Sequence, residues 1–187
     1  VNFFSEDGEE VTIPLDENKT PLKMVQSYYK KYNKLKEIEE SAIEQLEKNS
    51  DELEYLNSVL TNIENCESYT EIDDIKEELI STGYVRKRKA NGKNNKKAKP
   101  SKPLHYISSD GIDIFVGKNN IQNDELTLKF ARPRDIWMHT KNIPGSHVII
   151  VANGHTIPDT TLNEGAMLSA FYSKAKNSSK VPVDYTE

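Results

Sequence analysis

The chain of 187 residues has one cysteine and one tryptophan. A single thiol excludes an internal disulfide framework, and the lone Cys66 fits a reducing compartment. Apolar residues make up only 35% of the sequence and the mean hydropathy is −0.73. That is too little for one compact globule and fits a chain that is partly extended helix or linker. No run approaches the roughly 20 apolar residues that span a bilayer. The opening Val1-Asn2-Phe3-Phe4-Ser5-Glu6 has no basic stretch ahead of an apolar one, so it does not read as a signal peptide. Without an initiating Met it reads as part of something longer. Gly-rich phosphate loops and the Gly-x-Ser-x-Gly elbow of hydrolases are also missing.

What is present is charge, unevenly placed. Residues 1–84 carry 8 Lys/Arg against 21 Asp/Glu, a balance of −13. Residues 85–103 carry 9 Lys/Arg and no acid, and residues 104–187 carry 8 Lys/Arg against 9 Asp/Glu, so the net −5 conceals three distinct segments.

The pattern predicts an α+β chain. Residues 1–18 read as a β-hairpin, with strands at Val1–Ser5 and Glu9–Ile13 around Asp7-Gly8. Residues 19–84 read as a helical arm of coiled-coil type. Thr20-Pro21 opens its first helix, and no Gly or further Pro follows until past Glu64. Val25, Tyr28, Tyr32, Leu35, Ile38, Ala42 and Leu46, then Leu53, Leu56, Leu60 and Ile63, draw a narrow apolar stripe that needs a partner. Asn49-Ser50-Asp51 offers a break, but a single continuous helix is the reading taken. Thr70 is expected to cap a short helix that stops at Gly83. Residues 85–103 are a basic linker by composition.

Residues 104–187 carry globular character as a small α+β domain. Strands are expected at 105–108, 112–116, 136–139, 147–151 and 181–185. One helix is expected to be capped by Asp124 and to carry Leu126, Leu128 and Phe130. Another is expected to be capped by Thr160 or Thr161.

The chemistry concentrates in residues 129–148. This stretch holds the only Trp, two of the four His and both Arg outside the linker. His139, His147 and His155 lie eight apart, a spacing that does not gather ligands on one metal by itself, so no metal site is expected. Ser146 and His147 point to opposite faces of a strand and make no nucleophile–base pair. Nucleic-acid binding is better supported. Arg132, Arg134, Lys141 and the linker residues Arg86, Lys87, Arg88 and Lys89 suit phosphates, while Trp137 and the His rings suit unpaired bases. A core anchor is an equal reading for Trp137.

Asp135-Ile136-Trp137-Met138-His139 followed by Asn142-Ile143-Pro144-Gly145-Ser146-His147-Val148 resembles the signature of the NFACT family. So do Asp110-Gly111, Val116-Gly117-Lys118-Asn119-Asn120 and Gln122-Asn123-Asp124. Ile13-Pro14-Leu15-Asp16, the stretch from Tyr28 to Lys36, and the stretch from Glu77 to Tyr84 resemble the entry to and end of its coiled coil. The family comprises bacterial ribosome quality-control factors, also described as fibronectin-binding proteins, and their eukaryotic counterparts.

The resemblance implies a non-enzymatic, cofactor-free role in the cytoplasm. Its partners would be the large ribosomal subunit, rRNA and tRNA, in support of template-free C-terminal Ala tailing of stalled chains. RNA contacts are then expected at Lys118, Arg132, Arg134, Trp137, His139, Lys141 and His147, and no membrane partner is expected. A fibronectin-binding surface adhesin is the alternative, and a metal-dependent enzyme a second one. Lys118 departs from the family's usual Arg, and Gly165 from a common Ala. The family's amino-terminal domain and first coiled-coil helix are not in this sequence, so the unpaired helix is expected to allow self-association.

Overall fold

The computed structural model describes residues 10, 12–87 and 100–187. The chain divides into two compact units, Val1–Asp51 and Glu52–Glu187.

In the first unit, the hairpin expected over the first residues lies mostly outside the described residues, and Thr12 and Ile13 are in no strand. The loop before the helix is held locally. Asp16 accepts from the Asn18 N–H at 3.0 Å and pairs with Lys19 at 2.9 Å. The Tyr28 hydroxyl donates to the Pro14 carbonyl at 3.2 Å. Helix α1 (Pro21–Glu64) begins in this unit and runs unbroken for 44 residues. Thr20 starts it, its carbonyl accepting from Met24 N–H at 3.1 Å. Asn49-Ser50-Asp51 does not interrupt it, because a solvated helix tolerates such residues where no Gly or Pro intervenes. Val25, Tyr32, Leu35, Ile38 and Leu46 are 52–69% exposed, so the stripe has no partner among the described residues of the unit.

The second unit contains the end of α1, a second helix and the sheet domain. Helix α2 (Tyr69–Ser81) is capped by Ser68, not by Thr70. The reason is a reciprocal box: Ser68 Oγ accepts from the Glu71 N–H, while Glu71 Oε2 accepts from the N–H groups of Ser68 and Glu67. Gly83, at φ +87°, ends the helix as expected, in a conformation that favours glycine.

Strands β1 (Leu104–Ile107), β2 (Asp113–Val116), β3 (Ile136–Thr140), β4 (Val148–Ile150) and β5 (Val183–Thr186) form one antiparallel sheet of order β1-β2-β4-β3-β5. Between β2 and β3 lies α3 (Asn120–Glu125), followed by a π-helical turn over Leu126–Phe130. The expected helix with an Asp124 cap is therefore corrected. Asn119 caps earlier, its Oδ1 accepting from Gln122 N–H at 2.9 Å, and Leu128 is left 77% exposed. Helix α4 (Asp159–Phe171) starts after Pro158 rather than at a Thr cap. Thr161 instead points inward, its hydroxyl 2.7 Å from Asp110 Oδ2 and 2.9 Å from Ser108 Oγ.

The strand period of two sorts the side chains. Ile114, Val116, Ile136, Met138, Val148 and Ile150 are buried on one face, with Leu162, Ala166 and Leu168 of α4 packed against them. Gly165 allows that approach: a Cβ there would stand 2.7 Å from Ile150 Cδ1 and 2.9 Å from Met138 Sδ. The glycine that departs from the family pattern is thus matched by the side chains filling the space above it. No helix among the described residues is long and apolar enough to cross a membrane.

Candidate nucleic-acid interface

The other sheet face carries the rings. In β3, Trp137 and His139 alternate with the buried Ile136, Met138 and Thr140. The β3–β4 register pairs Met138 with Val148, which sets His147 across from His139. Trp137 and His139 stack with centroids 5.9 Å apart, and His147 meets each edge-on at 5.3 Å. All three are half-buried. Trp137 is therefore neither a free surface ring nor a full core anchor. Its indole Nε1 is buried without a hydrogen-bond partner among the described residues.

Thr127 Oγ1 donates to the Asn123 carbonyl at 2.9 Å and lies 2.8 Å from His147 Nδ1. With the hydroxyl proton on the carbonyl, Nδ1 carries the imidazole proton and Nε2 is the acceptor. Burial, and then the neighbouring His139, push the His147 pKa down to about 4. Burial also holds His139 below the usual imidazole value. Both rings are neutral at physiological pH, so they offer planar faces rather than charge. They open on a recess of about 170 Å³, bordered by Asn120 and Asp124 of α3 and by Glu54 and Tyr55 of α1.

The basic residues are dispersed. Arg132 and Arg134 are exposed in the turn before β3. Buried Asp135 fixes that turn: its Oδ2 accepts from Arg132 N–H at 2.8 Å and its Oδ1 from Ala152 N–H at 2.9 Å. Lys141, at the far end of β3, pairs with Asp184 at 3.5 Å. Lys118 is drawn inward, 2.5 Å from Glu71 Oε1 with only 20% of its side chain exposed. Arg86 and Lys87 are exposed, while Arg88 and Lys89 lie outside the described residues. His155 sits on the loop before α4, away from the ring cluster. No group of three or more His, Cys, Asp or Glu among the described residues is placed to hold a metal ion.

His105 and Phe115 were not singled out from the sequence, and Phe130 was expected only as an apolar residue of a helix. His105 stacks on Phe115 at 4.6 Å, and Phe115 meets Phe130 edge-on at 4.8 Å, extending the aromatic face across the sheet. The signal for them is the β1–β2 register, which pairs His105 with Phe115.

An antiparallel sheet backed by a helix on one face and bearing rings on the other is of the class of small α+β RNA-binding-type domains. The family comparison agrees: residues 102–187 match the NFACT protein RNA binding domain, and residues 1–98 match the NFACT N-terminal and middle domains. The chain belongs to the NFACT family.

It is 42% identical over 190 residues to the Rqc2 homolog RqcH of Bacillus subtilis and 44% identical over 187 residues to that of Streptococcus suis. Both alignments cover 100% of this chain but 32% of the relative, so the chain spans about a third of the curated relatives it matches. The C-terminal part of a fibronectin/fibrinogen-binding protein from Streptococcus suis superposes with a TM-score of 0.80 at 42% identity. That superposition covers 91% of this chain and 67% of the other.

Proposed function

We propose that residues 52–187 contact RNA as part of a ribosome quality-control factor. The observation that carries this reading is the cluster of Trp137, His139 and His147. These are neutral, half-buried rings on the face that α4 leaves free, within the segment matching the family's RNA-binding model. Rings of this kind hold unpaired bases by stacking. Phosphate contacts then fall to Arg132, Arg134, Lys141 and the residues from Arg86 to Lys89. Lys118 is left out of the set, because its ammonium is taken by Glu71.

In the longer protein the RNA would be tRNA or rRNA of the large subunit, in the cytoplasm, and the outcome template-free Ala tailing of stalled chains. Peptidyl transfer is then the ribosome's chemistry, and this chain supplies binding alone. Filter binding of tRNA and of large-subunit RNA tests the site. Trp137→Ala is expected to weaken binding by about 1–3 kcal/mol, the value of one stacked base. Arg132→Ala is expected to weaken it and to reduce the salt slope by about one. Unchanged affinity of both variants at physiological salt removes the assignment.

The second reading is adhesion, favoured by the fibronectin/fibrinogen-binding description of the similar solved structure. Ribosome co-sedimentation set against fibronectin binding, at the same salt, separates the two.

A further inference from the structure

A cavity of about 380 Å³ lies near the start of β3, lined by residues of the α4-facing side of the sheet and of the loop before α4. Arg134, His155, Ile157, Leu162, Tyr185 and Glu187 are among its lining residues. None of the cavity is shared with the ring cluster of Trp137.

Its construction is unusual in three respects. Arg134 stands at φ +76°, a backbone region that costs a residue with a Cβ and that recurs at ligand clamps. The facing loop also turns through positive φ, at Asn153 (+49°) and Gly154 (+83°), immediately before His155. One buried carboxylate joins the two segments: Asp135 holds the Arg132 N–H with one oxygen and the Ala152 N–H with the other. The turn that carries Arg134 and the loop that carries His155 are thus tied to one another beside one cavity. The guanidinium at its rim makes no hydrogen bond or ion pair with any described residue.

A guanidinium with no partner among the described residues, lining the same cavity as the His155 imidazole, the apolar Ile157 and Leu162 and the ring of Tyr185, suits a phosphate joined to a planar base. Glu187 contributes the one carboxylate among the lining residues. Its side-chain carboxylate is an acceptor for ribose hydroxyls.

We propose that this cavity binds one unpaired nucleotide of RNA, with its phosphate on Arg134 and His155 and its base against Tyr185 and Ile157. The proposal rests on the RNA-binding reading above but assigns a second site, separate from the Trp137 cluster.

The test is methyl NMR of the whole 187-residue chain, titrated with adenosine monophosphate, adenosine, inorganic phosphate and a single-stranded oligoadenylate. Saturable shifts of the Ile136, Ile157 and Leu162 methyls are expected with the monophosphate and, at lower concentration, with the oligoadenylate. Adenosine or phosphate alone should bind more weakly. Arg134→Gln should weaken the monophosphate roughly fivefold or more, the loss of one charge-assisted pair, and His155→Ala should weaken it less.

Absent shifts, or shifts undiminished in Arg134→Gln, overturn the site. Oligoadenylate retained on filters while these methyls stay unmoved leaves the RNA-binding reading intact and removes this cavity from it. Saturation by the monophosphate with no RNA retained at all overturns the RNA source, and with it the broader reading.

Discussion

The two faces of the five-stranded sheet are built from the same strands and are opposite in character. Beneath α4 the face is aliphatic and closed so tightly that Gly165 has no room for a side chain. On the other side, the rings of His105, Phe115, Phe130, Trp137, His139 and His147 touch in two clusters and remain partly open. Strand β3 serves both faces. Met138 is 1% exposed, while its neighbour Trp137 keeps a buried indole N–H without a partner among the described residues. The difference separates the side of the sheet that α4 closes from the side proposed to meet RNA, one residue apart.

The largest expected effect breaks the aliphatic face. Met138→Ala should cost about 2–5 kcal/mol of stability, as large-to-small changes in a packed core do. RNA affinity of the folded protein should be unchanged. Trp137→Ala should behave in the opposite way, losing affinity with a smaller loss of stability. Urea denaturation beside filter binding measures both. Equal stability losses at 137 and 138 would make the ring face a second core and end the comparison.

Next in size is Lys118→Ala. Its ammonium and the Glu71 carboxylate are 20% and 10% exposed at the side chain. Removing one partner leaves the other poorly solvated, an effect of about 1–3 kcal/mol for a partly buried pair. If Lys118 is structural, denaturation midpoints fall and the affinity of the folded protein for RNA does not. Lost affinity at full stability would return it to the interface.

The neutral imidazoles sharpen the comparison through pH. His147 is held at about 4, against an ordinary 6.5, by burial and by His139. A folded-state pKa below the unfolded one contributes stability that is complete above the unfolded value and is lost as pH falls toward the folded one. Across the recess Asp124 favours the charged form of His147, and Glu54 that of His139, but neither overcomes burial. Thermal melts should therefore show stability falling between about pH 6.5 and 4, with a shallower fall in His147→Gln. RNA affinity should not increase as pH is lowered from 8 to 6.5, a range in which His147 remains uncharged.

Much of this architecture is legible in local chemistry. Thr20-Pro21, Gly83 and the strand alternation at Ile136–Thr140 place their elements to within a residue or two, because each signal acts on its own neighbours. Local signals fail where two residues can do the same job. Ser68 and Thr70 both suit a cap, and only the reciprocal bond from Glu71 selects Ser68. Asn119 and Asp124 compete in the same way, and the earlier residue prevails.

The site was legible as residue types and illegible as an arrangement. His139 and His147, eight apart in sequence, come together because the β3–β4 register sets them across from one another. His155, eight further on, turns away on the loop before α4. Register also carries Phe115 to His105. The charge of Lys118 is answered by Glu71, 47 residues earlier, and no local pattern contains that contact.

The smallest expected effect lies where the two faces meet, at the turn that enters β3. Arg134 carries a side chain at φ +76°, a conformation that costs about 1–2 kcal/mol and that glycine adopts freely. Arg134→Gly relieves this cost but loosens the unfolded chain, so the net gain in stability should be about 1 kcal/mol or less. RNA affinity should fall at the same time. Arg132→Gly, in the same turn, should give no gain, because Arg132 is not among the positive-φ residues. A stability gain with loss of binding at 134 alone would mark the strain as serving the ligand. A stability loss at 134 would mean that the guanidinium supports the fold, and the turn would then belong with the aliphatic face.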